Sequence, residues 1–191
     1  MSDNLEKTQA IVEGDKGQEI DKPSIYVACL AAYNSGYLHG SWIVPSTDKE
    51  ELQEQINKVI KSSPVSDAEE WAVHDYNNFP NLGEYPALNS IIDVQEAMEA
   101  FEPSIVHGYI ENIHHSNVDF SSLVGDIEEA FIGTYDSFRE YADDTAEDTM
   151  LLDCPDHIRN YFDYDAFARD LEYDHWTAEA PGYQVHIFRN Y

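Results

Sequence analysis

The spacing of apolar side chains predicts a small α+β unit near the beginning of the chain, over residues 24–76. Short runs rich in β-forming residues are bounded there by turn formers. We predict strands at 24–31, 41–44 and 70–75 and a loop at 33–40. Between the last two strands, a helix is indicated by a capping box at Thr47 and Glu50 and by an apolar face of Leu52, Ile56, Val59 and Ile60.

The apolar period becomes helical after residue 88. Two helices are predicted, one before and one after Pro103, with apolar faces of Ile91, Ile92, Val94, Ala97, Met98 and Phe101 in the first and of Ile105, Val106, Tyr109, Ile110 and Ile113 in the second. Shorter helical segments follow. One is a helix from Asp136, after a short extended link at Tyr135, with Asp136, Glu140, Asp143 or Asp144, and Glu147 along one side. Two strands are then predicted at 175–178 and 183–188. The pattern as a whole predicts an α+β protein with mixed units at both ends and a helical middle.

These patterns divide the chain into a tail and three domains. Residues 1–22 are polar and without periodicity, and we expect them to form a disordered tail. We predict an N-terminal α+β domain at 23–86, a central helical domain at 87–120 and a C-terminal α+β domain at 121–191.

Cysteine content and the absence of targeting signals predict a cytoplasmic protein. Cys29 and Cys154 are too few for a disulfide framework and are typical of a reducing compartment. We expect no secretory signal, because no basic region precedes an apolar stretch at the N-terminus. The longest apolar run, at 26–33, is far shorter than the ~20 residues that cross a bilayer.

The net charge excludes two classes of partner. The 191 residues include 38 Asp and Glu against 10 Lys and Arg, a formal net charge of −28. Proteins bind nucleic acids and anionic membranes through cations, so we exclude both as direct partners. Hydrophobic residues make up 42% of the chain and aromatic residues 13%, whereas acidic disordered chains are poor in both. The chain therefore has enough apolar side chains to form a core.

The charge is distributed unevenly along the chain. Residues 1–61 contain ten acids and all six lysines, a net of −4, whereas residues 62–191 contain 28 acids and four arginines, a net of −24. Carboxylates recur at offsets of three and four on the predicted helices, where like charges lower helix stability. We therefore predict an acidic interaction surface, formed by Glu96, Glu99, Glu102, Asp126, Glu128, Glu129, Asp136, Glu140, Asp143, Asp144, Glu147 and Asp148.

The magnitude of the charge resembles that of DNA. A compact chain of this length is about 40 Å across, and 40 Å of duplex DNA carries about 24 charges. A carboxylate also resembles a phosphate oxygen chemically, because arginine binds both through paired N–H groups. We therefore interpret the acidic surface as a mimic of DNA.

Catalytic and metal-binding motifs are missing from the sequence. The eight histidines show no zinc-binding spacing, and the acidic runs at 163–165 and 170–174 lack the glycine and the terminal glutamate of a calcium loop. Neither cysteine lies in a nucleophile motif, and there is no Gly-rich phosphate loop. We predict no catalytic residue, metal or cofactor. The alternatives are a carboxylate–metal enzyme, an acidic module that binds another DNA-binding protein, and a halophile-type surface.

Three stretches of the sequence resemble the ArdA antirestriction proteins. They are SIYVACLAAYNSGYLHGSWI at 24–43, EEWAVHDYNNFP at 69–80 and YFDYDAFARDL at 161–171. The three blocks occur in order, so the resemblance extends over about residues 24–191.

The resemblance implies an elongated protein of three small domains that forms a homodimer through its C-terminal domain. We take Val185 and Phe188 as candidate dimer contacts, with core packing as the alternative. The resemblance also implies that the acidic surface mimics B-form DNA. Proteins of this kind occupy the DNA-binding groove of type I restriction-modification enzymes and so protect an incoming plasmid or conjugative transposon.

Overall fold

A computed structural model describes residues 22–113 and 119–190. Contacts along the chain group it into two units, residues 1–95 and 96–191. The described residues form eight α-helices and two three-stranded sheets, in agreement with the predicted mixture of helix and strand. The predicted tail lies outside the described residues except for Lys22, and the division into three domains stays a prediction.

The first unit is built on an antiparallel sheet with the strand order β2-β1-β3. Its strands are β1 (Ser24–Cys29), β2 (Gly40–Ile43) and β3 (Trp71–Asn77). Tyr26 lies opposite Trp42, and their rings meet edge to face with centroids 5.4 Å apart. A side chain at Gly40 would place its Cβ only 2.6 Å from the Tyr26 ring, so this position requires glycine.

Helix α2 (Lys49–Lys61) begins one residue later than the capping box predicts. Asp48, not Thr47, is the N-cap, and its carboxylate accepts a hydrogen bond of 2.8 Å from the Glu51 N–H. Aspartate is at least as effective as threonine in this role, which explains the shift. The predicted apolar face is confirmed, because all four of its members are buried: Leu52, Ile56, Val59 and Ile60.

The first strand is shorter than predicted, because a short helix follows it. Helix α1 (Leu30–Asn34) includes residues that we predicted as strand and as loop. Leucine and alanine favour helix over strand. Gly36, with φ +83°, lies just past the end of this helix. The unit also includes the beginning of helix α3 (Leu88–Ala100), in which Ile91 and Val94 are buried as predicted.

The second unit contains another antiparallel sheet, with the order β4-β6-β5. Its strands are β4 (Phe131–Tyr135), β5 (His175–Ala180) and β6 (Gln184–Arg189). Five helices belong to this unit: α4 (Pro103–Ile113), α5 (Leu123–Ala130), α6 (Phe138–Thr145), α7 (Asp156–Arg159) and α8 (Tyr164–Leu171). A π-helical turn (Ala146–Met150) continues α6, and 3₁₀ turns lie at Glu172–Asp174 and Pro181–Tyr183.

An aromatic cluster forms the centre of the second unit. Trp176 on β5 stacks on Phe188 of β6 with ring centroids 4.0 Å apart, and Tyr109 of α4 contacts both rings. Gly108 allows this approach, because a Cβ there would lie 2.4 Å from the Cβ of Ala178. The small residues therefore let α4 pack closely on β5.

His186 connects three elements of the same unit. Its side chain is buried, with Nδ1 2.9 Å from the Thr134 hydroxyl of β4 and Nε2 3.0 Å from the Ser104 hydroxyl of α4. Burial lowers the pKa of this imidazole below 6.5, while the negative charge of Glu102 opposes that shift. The neutral ring is therefore the form that the folded unit favours.

No helix in residues 22–113 and 119–190 combines the length and the apolar character needed to cross a membrane.

Candidate acidic interaction surface

All twelve carboxylates selected from the sequence lie in the second unit. The half-buried ones are Asp126, Asp143 and Glu147, and each accepts a hydrogen bond from a neighbouring side chain. Nine are exposed: Glu96, Glu99, Glu102, Glu128, Glu129, Asp136, Glu140, Asp144 and Asp148. These nine are called the exposed acidic set below.

Two of these acids lie where helix α6 begins. Ser137 is its N-cap and accepts a hydrogen bond of 3.1 Å from the Glu140 N–H. The Glu140 carboxylate in turn accepts one of 2.8 Å from the Asp136 N–H. Asp136 therefore precedes the helix that the sequence predicted to include it, and Glu140 supports the first turn while remaining exposed.

Arg139 joins two acidic segments of the second unit. Its guanidinium donates to Asp143 at 2.7 Å, one turn further along α6, and also to Asp165 of helix α8. The hydrogen bond to Asp143 is the main cause that raises the Arg139 pKa further above its usual value. The arginine thus offsets part of the negative charge between α6 and α8.

Glu147 lies not on α6 but in the π-helical turn that continues this helix. The Leu151 N–H donates to the Ala146 carbonyl at 2.9 Å, across five residues instead of four. Glu147 accepts hydrogen bonds from the Tyr164 hydroxyl and from Arg159. The bond from Tyr164 chiefly lowers the pKa of Glu147 and raises that of the phenol.

Ten further exposed carboxylates of the second unit were missed by the sequence analysis. They include Asp163, which caps α8 by accepting from the Ala166 N–H at 2.9 Å. The acidic run at 163–165 contains this residue and Asp165, so a count of acids that included such runs would have found both. The ten are Glu111, Asp119, Asp153, Asp156, Asp163, Asp165, Asp170, Glu172, Asp174 and Glu179.

The acids of the second unit greatly outnumber its cations. Residues 96–191 contain 22 Asp and Glu against four arginines, a net of −18, and 19 of the acids are exposed. Arg139 and Arg159 form ion pairs. Arg169 and Arg189 are exposed, and no ion pair to either is found among the described residues. Most of the negative charge therefore faces solvent without a fixed counter-charge.

No metal-binding arrangement accompanies the acids in the described part of the chain. Within residues 22–113 and 119–190, no three His, Cys, Asp or Glu side chains are placed to bind one metal ion.

The two candidate dimer contacts differ in accessibility. Phe188 is fully buried in the aromatic cluster, where it stacks on Trp176. This is the core packing that we gave as the alternative to a dimer contact. Val185 is half-buried on the same strand. Larger exposed apolar side chains occur instead between α6 and α8: Met150, Leu152, Ile158 and Tyr161.

Fold and surface together define a class, that of small acidic α+β proteins whose charge is concentrated in one of two units. No curated protein matches the sequence. The family model of the antirestriction protein ArdA, however, matches residues 25–184, and the chain belongs to that family. ArdA proteins are non-catalytic, and membership implies an antirestriction function and an interaction with type I restriction enzymes.

Proposed function

We propose that this protein inhibits type I restriction-modification enzymes by presenting carboxylates in place of the phosphates of B-form DNA. In this role it occupies their DNA-binding groove and protects an incoming mobile element. The observation that carries the proposal is the concentration of exposed carboxylates in the second unit, where 19 face solvent. A groove that binds phosphates has cations suited to such a surface.

The charge of the second unit also agrees with that of DNA of the same size. A compact unit of 96 residues is about 32 Å across. DNA of that length carries about 19 charges, and residues 96–191 have a net charge of −18. This agreement supports the proposal that the acidic surface competes with a DNA segment of equal size.

Competition with DNA tests the proposal directly. Inhibition of a type I enzyme should weaken in proportion to added competitor duplex, because both ligands occupy the same groove. It should also fall steeply between about 50 and 200 mM salt, as expected when several charged groups are in contact. Inhibition that is unaffected by competitor duplex would contradict the mimicry.

We further propose that the protein acts as a homodimer through its second unit. The support is the exposed apolar group between α6 and α8, where Leu152 is 67% and Tyr161 86% exposed. Large exposed apolar patches are typical of association surfaces, and four large exposed apolar residues lie within the single segment 150–161. Sedimentation should show a dimer for the wild type and a monomer for Leu152→Asp with Ile158→Asp. A Val185→Asp variant tests Val185 of β6, the candidate dimer contact chosen from the sequence.

A further inference from the structure

The hairpin between β5 and β6 turns through a tyrosine in an unfavourable backbone conformation. Tyr183 has φ +66° and directly follows Gly182 at φ +76°. Among the described residues other than glycine, Asp67 and Asn78 also have positive φ, and aspartate and asparagine are the types that tolerate it. Tyrosine does not tolerate positive φ in this way, so its presence at this turn needs another explanation.

The Tyr183 side chain contributes nothing visible to the fold. It is 103% exposed, more than any other large apolar side chain among the described residues. Within residues 22–113 and 119–190, neither a hydrogen bond nor a ring contact to this side chain is found. The fold therefore bears the backbone cost of a tyrosine here and gains no packing from its ring.

The turn lies beside the acidic residues at the beginning of α6. Strand pairing places Val185 opposite Tyr135, so the residues that follow β4 are next to those that precede β6. The Gln184 amide donates to the Asp136 carboxylate at 3.0 Å. Tyr183 therefore directly precedes Gln184, which is bonded to a member of the exposed acidic set. A second member, Glu140, accepts a hydrogen bond from the Asp136 N–H.

We propose that Tyr183 binds an arginine or lysine side chain of the target enzyme through the face of its ring. The inference rests on the proposed function, because a groove that binds DNA presents such cations. A cation over an aromatic face is attracted by the ring quadrupole, and Asp136 and Glu140 add negative charge beside it. Tyrosine is also among the residues that most often dominate interface energies.

Substitutions at Tyr183 separate the ring from the backbone. Tyr183→Ala should weaken inhibition of a type I enzyme roughly three- to thirtyfold, the range of one cation–aromatic contact. Tyr183→Phe should retain inhibition because it retains an aromatic face, whereas Tyr183→Leu should resemble the alanine variant. Full inhibition by the leucine variant would contradict an aromatic contact.

Tyr183→Gly provides the test of folding. Glycine accepts positive φ, so this variant should unfold at the same or a higher denaturant concentration than the wild type. It should nevertheless inhibit as weakly as the alanine variant. A loss of inhibition that accompanies a loss of stability would instead indicate a structural role for the tyrosine.

Tyr173→Ala is the matched control. Tyr173 is 81% exposed and precedes β5, so it lies at the opposite end of that strand from the turn. Six residues of strand extend about 20 Å. The control removes an exposed tyrosine from the same unit but away from Asp136, and inhibition should change less than about twofold.

A peptide assay separates this inference from the proposed function. Calorimetric titration with an arginine-rich peptide should show binding to wild type and Tyr173→Ala that is roughly three- to thirtyfold tighter than to Tyr183→Ala. Equal binding and equal inhibition by the two alanine variants would overturn the inference, while competition between wild type and DNA would leave the proposed function intact. If wild type fails to compete with DNA, the proposed function is wrong, and the peptide titration still decides the role of Tyr183.

Discussion

The two units share a sheet plan but differ in charge. Each contains three antiparallel strands with helices alongside, in the orders β2-β1-β3 and β4-β6-β5. Residues 22–95 contain ten acids and four lysines, a net of −6, whereas residues 96–191 have a net of −18. Because the first unit forms a similar sheet without the excess, such a sheet does not require it. The comparison therefore indicates that the excess negative charge of the second unit is not needed to form its sheet.

The helices of the two units place their acids differently. Helix α2 has Glu50 and Glu51 in its first turn and Lys58 and Lys61 in its last, which suits the helix dipole. Helix α6 ends among acids, including Asp144, with no basic residue in its last turn. Acids at a helix C-terminus are unfavourable, so the sequence of the second unit departs from what stability alone favours.

Neutralising matched sets of acids should give the largest difference between the units. Changing the exposed acidic set to Asn and Gln should weaken inhibition roughly twentyfold or more, since nine exposed charges at about 0.2–1 kcal/mol each are lost. The control makes the same change in charge on the first unit, at its nine exposed acids: Asp48, Glu50, Glu51, Glu54, Asp67, Glu69, Glu70, Asp75 and Glu84. Equal losses from both sets would show that only total charge counts.

Steric substitutions at one glycine of each unit should give an intermediate effect. Gly108→Val must move α4 away from Ala178, and Gly40→Val must displace the Tyr26 ring, so each should lower the free energy of unfolding by about 1–3 kcal/mol. We expect inhibition to fall further for Gly108→Val, because the acids lie in that unit. Denaturation in urea measures the stability.

Gly125→Ala is the control for these substitutions. A Cβ at Gly125 meets no atom within 4 Å, and alanine favours the helix, so stability should remain or rise. A loss as large as that of Gly108→Val would argue against close packing between α4 and β5 as the cause.

His186 should give a smaller, pH-dependent effect in the second unit. Burial lowers its pKa below 6.5, so the unfolded chain takes up the proton more readily. The contribution of the neutral ring to stability is complete above about pH 6.5 and is lost as pH falls below it. His186→Gln should therefore lower the free energy of unfolding by about 1–3 kcal/mol at pH 7.5, with a smaller deficit at pH 5.

Ser104→Ala distinguishes titration from a lost hydrogen bond. It removes the partner of Nε2 and retains the imidazole, so its stability should keep the pH dependence of the wild type near pH 6. A deficit of His186→Gln that stays constant from pH 7.5 to pH 5 would show that the imidazole does not titrate differently on folding.

The sequence predicted long amphipathic elements well and short ones poorly. Helix α2 and helix α4 have several apolar residues on one face, so their period is clear. Strand β4 has five residues and directly follows a helix, and it is stabilised by pairing with β6, about 50 positions later. No local pattern contains that pairing, which is why we predicted only an extended link at Tyr135.

The surface was predictable only as far as local spacing determines it. Exposure of the six acids on α3, α5 and α6 follows from the helical period. The hydrogen bonds of Glu147, however, come from Arg159 and Tyr164, 12 and 17 positions away. The ion pair between Arg139 and Asp165 likewise joins two helices. Such contacts depend on tertiary packing, so spacing along one helix could not predict them.

The absence of lysine after residue 61 has a consequence for mapping the complex. Every lysine amine of this sequence belongs to residues 1–61, so amine-directed cross-linkers cannot attach to a lysine of the second unit. Its carboxylates offer the complementary chemistry, because a carbodiimide joins a carboxylate to a neighbouring amine without a spacer. The lysines of a bound enzyme would then supply the amines, and each bond would identify one carboxylate in contact with the target.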